Sequence, residues 1–250
     1  MIELKSFSLS YGSEDSQIFR RLNLEYQSAE FSVICGPTGS GKSTLLKSLI
    51  GLVPSFNFAH TSGEIFLDGI GVSGKRPQEL ANLIGFVNQR PEAAFVTESV
   101  IEEIAFGMEQ LGFPVAEMER RVKQISKQLE IDGLLKSRID QLSAGQQQRI
   151  AIAAALAAGQ KLLLLDEPSA ALDAEATTNL WKLLRDLADN HGVTVLVAEH
   201  RLAEVIDFAD SVTLLKGDGS AIKVNPNWES VLKVFPDWTQ KQHRNQSEEN

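Results

Sequence analysis

Residues 31–51 read FSVICGPTGSGKSTLLKSLIG. Phe31 to Cys35 has the pattern of a short buried strand, a glycine-rich turn follows, and Lys42 onward reads as a helix closing near Gly51. Gly36 to Ser43 satisfies G-x-x-x-x-G-K-[ST]. The glycines let successive backbone N–H groups turn inward and cradle phosphate oxygens, and the helix N-terminus adds the positive end of its dipole. Lys42 would neutralise β- and γ-phosphates, and the Ser43 hydroxyl would ligate Mg²⁺. The candidate phosphate-loop residues are Gly36, Pro37, Thr38, Gly39, Ser40, Gly41, Lys42, Ser43 and Thr44. Cys35, at the end of the buried run, reads as packing rather than redox chemistry.

Two stretches in the second half complement this loop. Leu162 to Glu167, LLLLDE, describes a buried strand with carboxylates at its C-terminal end, the end that faces ligand in α/β sheets. Asp166 fits a Mg²⁺ partner. Glu167, one residue on, points elsewhere and could polarise an attacking water. Leu142 to Gln146, LSAGQ, opens a helix from about Ala144 that Ser143 can cap, giving a second anion-binding helix end. Two chains could pair so that each such helix end faces the other's nucleotide.

Around these motifs, strands are expected at Glu3–Ser8, Asn23–Tyr26, Gly63–Asp68, Leu162–Leu165 and Val193–Val197, with a turn at Asp68-Gly69. Thr97 is placed to cap a helix carrying Val100, Ile101, Ile104 and Met108, Gly112-Phe113-Pro114 interrupts it, and a second helix runs from Val115 to Glu130. A helix from about Glu175 to Asn190 and a hairpin across Gly217-Asp218-Gly219 complete the pattern. Alternating strands and helices imply a mostly parallel sheet with crossover helices and a helical insert in mid-chain.

Composition narrows the function. The longest apolar run, Ile150 to Ala158, falls far short of the ~18 residues that cross a bilayer. The first residues, MIELKSFSLSYG, lack the charged head and apolar core of a signal peptide. One cysteine excludes an intrachain disulfide framework. A net charge of −9 weighs against a nucleic-acid partner. The residues from Thr239 to Asn250 are polar throughout and read as a tail.

GPTGSGKS, Gln89, LSAGQQQR, LLLLDEPSAALD and His200 occur in the order found in ATP-binding cassette (ABC) ATPases, and the chain resembles that family over about residues 1 to 224. The resemblance implies an α/β fold: an ABC-type P-loop NTPase with a mixed central sheet plus a helical subdomain. It implies a cassette over residues 1–238, with a catalytic lobe at about 1–89 and 160–224 and a helical lobe at about 90–159. By the same resemblance Tyr11 stacks on adenine, and Gln89 reports γ-phosphate and Mg²⁺ to a transport partner. Ser143, Gly145 and Gln146 meet the nucleotide held by the opposite chain, and Asp173 lies at the dimer seam. Glu167 is the general base and His200 the switch that touches the γ-phosphate. ATP and Mg²⁺ are the implied ligands. The departures are Ala144, where the family pattern usually has glycine, and Arg201, where many importers have aspartate.

A narrower similarity lies in GLVPSFNFAHTSGEIFLDG, in FVNQRPEAAFVTESVIEEIAFGMEQLGFP and in AEHRLAEVIDFADSVTLL. These segments look like the ATPase components of energy-coupling factor (ECF) transporters, which import vitamins, vitamin precursors or metal ions. Phe95, Val100, Glu103 and Ala105-Phe106-Gly107 carry most of that likeness. It implies a peripheral subunit at the cytoplasmic face of a membrane, partnered by a transmembrane coupling subunit and a substrate-binding membrane subunit. Each motif occurs once, so the second cassette, identical or homologous, is expected from another chain. The alternative is a soluble ABC ATPase of DNA repair or translation. The short insert without sustained heptads and the acidic charge count against it.

Overall fold

The computed structural model describes residues 1–12, 17–55 and 59–236. In chain order the first elements are β1 (Ile2–Ser10), β2 (Gln17–Tyr26), β3 (Phe31–Cys35), α1 (Lys42–Leu49) and α2 (Leu52–Ser55). Then come β4 (His60–Leu67), β5 (Ile70–Gly71), α3 (Pro77–Leu80) and β6 (Ile84–Val87). The helical middle holds α4 (Val100–Gln110), α5 (Val115–Gln128) and α6 (Ala144–Leu156). The chain closes with β7 (Leu162–Asp166), α7 (Ala174–His191), β8 (Thr194–Ala198), α8 (Leu202–Val205), β9 (Ser211–Leu215), β10 (Ala221–Val224) and α9 (Trp228–Val234). The tail from Thr239 lies outside the described residues.

The strands form two sheets rather than one. A six-stranded sheet runs β10-β9-β3-β8-β7-β6, parallel except at the β10 edge. A separate antiparallel sheet runs β2-β1-β4-β5. The split follows from burial. β3, β7, β8 and β9 are buried along their whole length, as strands covered on both faces must be. β2 alternates buried and exposed positions over its second half, so it has one wet face.

Period-2 geometry sends successive residues of the parallel strands into different cores. Val33, Leu163, Leu165, Val195 and Val197 pack with Leu180, Trp181, Leu184 and Leu187 of α7 and the apolar faces of α4, α5 and α6. Ile34, Leu162, Leu164, Leu196 and Ala198 pack with Leu45, Leu46 and Leu49 of α1 and with the antiparallel sheet. The helical insert is fastened tightly to β6: a Cβ on Gly85 would lie 2.4 Å from the Ala155 carbonyl oxygen of α6. Only glycine admits that approach.

The edge away from the site is closed by a buried carboxylate. Glu30 accepts from Ser32 Oγ (2.7 Å), Ser211 Oγ (2.5 Å) and the backbone N–H of Gln27 (2.6 Å), and pairs with Lys223 Nζ (2.6 Å). Burial alone would raise its pKa. The Lys223 ammonium and these donors outweigh that and hold it below the usual carboxylate range.

Thr97 does not cap α4. The helix begins at Val100 with Ser99 at the N-cap, and the Ser99 hydroxyl donates to Glu102 instead of capping an amide (2.7 Å). Thr97 is drawn to the buried Glu103, whose Oε2 accepts from its N–H, its hydroxyl and the Val96 N–H at 2.9–3.0 Å. A carboxylate one turn into the helix outcompetes a cap by gathering the whole entry loop.

Candidate active site

Parallel strands put their C-terminal ends on one edge. Here Cys35, Val87, Asp166 and Ala198 end neighbouring strands, so Gly36, Gln89, Glu167 and His200 leave from the same rim.

Lys42 opens α1 behind Gly41, which holds a left-handed backbone (φ 97°). The ammonium folds back over its own loop, donating to the carbonyls of Gly36 (3.0 Å) and Pro37 (3.3 Å), and lies 3.3 Å from His200 Nδ1. Burial pushes the Lys42 pKa down, against the pull of Cys35, Glu167, Asp166 and Glu199. An ammonium only donates, so His200 Nδ1 accepts and the ring proton sits on Nε2. That proton faces Glu167: Nε2 to Oε1 is 2.5 Å. The other carboxylate oxygen accepts from Gln89 Nε2 at 2.9 Å. Lys42, His200, Glu167 and Gln89 thus form one continuous polar chain.

Beside it, Ser43 Oγ donates to Asp166 Oδ1 at 2.8 Å. Glu167 follows Asp166 but does not continue the strand. Its backbone turns left-handed (φ 47°), its N–H bonds the Ala198 carbonyl (2.8 Å), and its side chain swings toward Gln89 and His200. A non-glycine residue in this conformation carries strain of about 1 kcal/mol, held here by the loop around it. Two consecutive acids therefore point to two places, Asp166 to Ser43 and Glu167 to Gln89 and His200.

Two features of the loop suit a polyphosphate. The Ser40 hydroxyl is buried and has no hydrogen-bond partner among the described residues. Among the described residues the Lys42 ammonium is hydrogen-bonded by the Gly36 and Pro37 carbonyls and His200 Nδ1, at 3.0–3.3 Å. Ser43, Asp166 and the amide of Gln89 supply hard oxygens of the kind Mg²⁺ takes, along with phosphate and water. Gly36 admits no side chain, since a Cβ would lie 2.5 Å from the Leu215 carbonyl oxygen and 2.7 Å from Ser40 Oγ. Gly36→Ala is expected to cost about 2 kcal/mol and to lower the melting temperature by about 4–8 °C in thermal denaturation.

The remaining candidates stand apart from this chain. Ser143 caps α6 by accepting from the Gln146 N–H (3.3 Å), while the Gln146 amide oxygen accepts from the Ser143 N–H (3.0 Å). Asp173 caps α7 through the Ala176 N–H (2.8 Å). The two helix ends adjoin, because a Cβ on Gly145 would touch Ala176 at 3.4 Å. Ala144 is an exposed first helical residue, where a methyl group is at home. Tyr11 follows β1, half-buried against the core between the sheets. Thr38 is exposed on the loop and Thr44 half-buried within α1. Cys35 is fully buried, its thiol pushed up by burial and donating to the Glu199 carbonyl (3.1 Å), which suits packing. Sequence reasoning missed Glu199 and Ser169, which surround His200. The only sign was an acid inside an otherwise apolar strand ending, VLVAEH.

A strand–loop–helix phosphate cradle, a carboxylate pair on the adjacent strand and a helical insert beside β6 define a P-loop nucleotide-hydrolase cassette. The ABC transporter family pattern matches residues 19–170, and the chain belongs to that family. A relative from Streptomyces coelicolor, named as an ABC transporter ATP-binding protein, is 40% identical over 238 residues, 94% of this chain and 42% of its own length. One from Pyrococcus abyssi with the same kind of name is 32% identical over 90% of this chain and 81% of its own. The chain thus spans about two-fifths of the Streptomyces relative. Among solved structures, CbiO1 of Clostridium perfringens, part of the ABC transporter complex CbiONQ, superposes with a TM-score of 0.81 at 29% identity, covering 96% of this chain and 91% of that one. The dimeric cassette MJ0796 superposes with a TM-score of 0.74 at 29% identity, covering 91% and 99%. The fold is that of an ABC ATPase. No helix among the described residues is long and apolar enough to cross a membrane.

Proposed function

We propose that the chain hydrolyses ATP as one half of a paired cassette and powers an ECF-type membrane importer of a vitamin, vitamin precursor or metal ion. The observation that carries the hydrolytic part is the chain Lys42–His200–Glu167–Gln89 beside Ser43–Asp166.

Each residue has a place in the reaction. Phosphate oxygens take over the Lys42 ammonium from the Gly36 and Pro37 carbonyls, a charge-assisted contact replacing neutral ones. Backbone N–H groups of residues 36–44 and the Ser40 hydroxyl complete the cradle, and Tyr11 stacks on the base. Ser43, Asp166 and Gln89 would hold Mg²⁺, which when bound would neutralise charge on the β- and γ-phosphates. Glu167 takes a proton from water as the water oxygen bonds the γ-phosphorus and the bond to the leaving oxygen of ADP breaks. For this the Gln89 amide must release Glu167 Oε2. His200 keeps its Nε2 proton and turns it to the γ-phosphate. Ser143, Gly145, Gln146 and Asp173 meet the nucleotide of the second cassette across the seam, and their shared location at two adjoining helix ends supports that assignment. MJ0796 being a dimer supports the pairing.

The transport half rests on the CbiO1 likeness, on the motif segments and on the surface. In the helical lobe, residues 90–159, a groove between α4 and α5 is lined by Ile101, Ala105, Val115, Met118, Val122 and Leu135. Ile101 is 45% and Val115 66% exposed. Such a patch suits an apolar partner helix. Gentle detergent extraction of the tagged chain from its host, with partners identified by mass spectrometry, is expected to recover a multi-helix membrane subunit and a small substrate-binding one. Recovery of only ribosomal or repair proteins would overturn the transport reading and leave the ATPase site standing.

A further inference from the structure

Glu199 is 3% exposed, Ser169 wholly buried, and the proposed chemistry uses neither. We infer that Glu199 and Ser169, braced by Arg201, are positioning residues that fix the pivot of His200 relative to the loop bearing Glu167 and Asp173. The inference rests on the hydrolytic reading above.

The Glu199 carboxylate spends its acceptors on the rim. Oε1 accepts from the N–H of His200 (2.7 Å) and of Arg201 (3.1 Å), and Oε2 accepts from Ser169 Oγ (2.6 Å). Its main chain is pinned to β3: its N–H bonds the Ile34 carbonyl (3.0 Å), and its carbonyl accepts from Cys35 Sγ (3.1 Å). The Arg201 guanidinium closes the loop by donating to the Ser169 carbonyl (2.7 Å) and hydroxyl (3.0 Å). It also pairs with Glu204 (3.2 Å). Ser169 sits between Glu167 and Asp173, and its carbonyl also accepts from the Leu172 N–H (3.1 Å).

Glu199, whose carboxylate takes the His200 N–H, is therefore held from two sides, by the strand that feeds the phosphate loop and by the loop after β7. The His200 imidazole turns about a fixed point. A buried carboxylate is an expensive way to fill space. Here its partners are the amides that carry the switch and the hydroxyl on the loop that carries the base, and this is what a hinge pin requires. Arg201, the departure noted in the sequence, keeps Ser169 oriented toward Glu199 through its two hydrogen bonds to that serine.

The test uses the full chain in its paired state. Ser169→Ala removes the hydroxyl that joins the two loops, and Ser169→Thr retains it. Ser169→Ala is expected to lower kcat about tenfold with KM for ATP changed less than about twofold, because the lost contact acts on the transition state and not on nucleotide binding. Ser169→Thr is expected to restore most of kcat. In chain labelled with ¹⁵N-histidine, the His200 nitrogens are expected to report one Nε2–H tautomer in the parent protein and averaged values in Ser169→Ala and Glu199→Gln. Unmoved His200 resonances in both variants overturn the tether, whatever the turnover. So does a fall in kcat that Ser169→Thr fails to restore. A parent chain that binds ATP without hydrolysing it overturns the hydrolytic reading instead, and the nitrogen spectra still decide the tether.

Discussion

Glu167→Gln is expected to reduce ATP turnover by about a thousandfold while leaving ATP binding intact, the range spanned by loss of a general base. The geometry explains why the two effects separate. Glu167 touches His200 at 2.5 Å and Gln89 at 2.9 Å, and it meets the phosphate loop through His200, which lies 3.3 Å from the Lys42 ammonium. A glutamine of the same length can still accept the His200 Nε2 proton through its amide oxygen. Its NH₂ then faces Gln89, which turns its own amide to accept. The left-handed backbone at position 167 is as strained for glutamine as for glutamate. The shape of the site survives, and the proton acceptor does not. Removing a negative charge near the γ-phosphate also lessens repulsion, so the paired, ATP-filled state should accumulate. Single-turnover assays with radiolabelled ATP measure the first effect, and gel filtration with and without ATP measures the second. Turnover within tenfold of the parent would remove Glu167 from the role of base and shift attention to His200.

Much of this site was legible in the sequence because its parts are local. Phe31 to Ser43 contains strand, turn, helix start and lysine in one stretch, and Leu162 to Glu167 carries strand and carboxylates together. The strand at Phe31–Cys35 and the helix starts at Lys42 and Ala144 agree with the pattern. What the sequence hid is long-range. β1 pairs with β4 and β2, and no local signal separates that antiparallel sheet from the parallel one. β6 carries no strand signal of its own, because Ile84 to Val87 is four residues with a glycine inside, and that glycine is explained by α6 passing over it. Thr97 had the composition of a cap, and only the buried Glu103 reveals why it is not one. Glu199 needed Ser169, 30 residues away, before it meant anything.

Lys42→Ala is expected to weaken ATP binding about a hundredfold, since truncating one partner of a desolvated charge pair costs about 3 kcal/mol. In the parent, ATP at about a hundred times its Kd should add about 2.7 kcal/mol of stability and raise the melting temperature by about 5–10 °C. In Lys42→Ala the same ATP concentration should leave the melting temperature nearly unchanged. The pH dependence follows from the same residue. In the free protein burial holds the Lys42 pKa below its ordinary value, whereas a bound triphosphate raises it. ATP affinity should therefore be level where Lys42 is charged in both states and fall as pH rises through the lowered value of the free protein. Folding stability runs the other way. Between that lowered value and about 10.4 the unfolded chain holds a proton that the folded chain lacks, so this lysine's contribution to stability grows with pH. Isothermal titration across the alkaline range separates the two trends. An ATP affinity that rises with pH there would mean that Lys42 does not meet the phosphates.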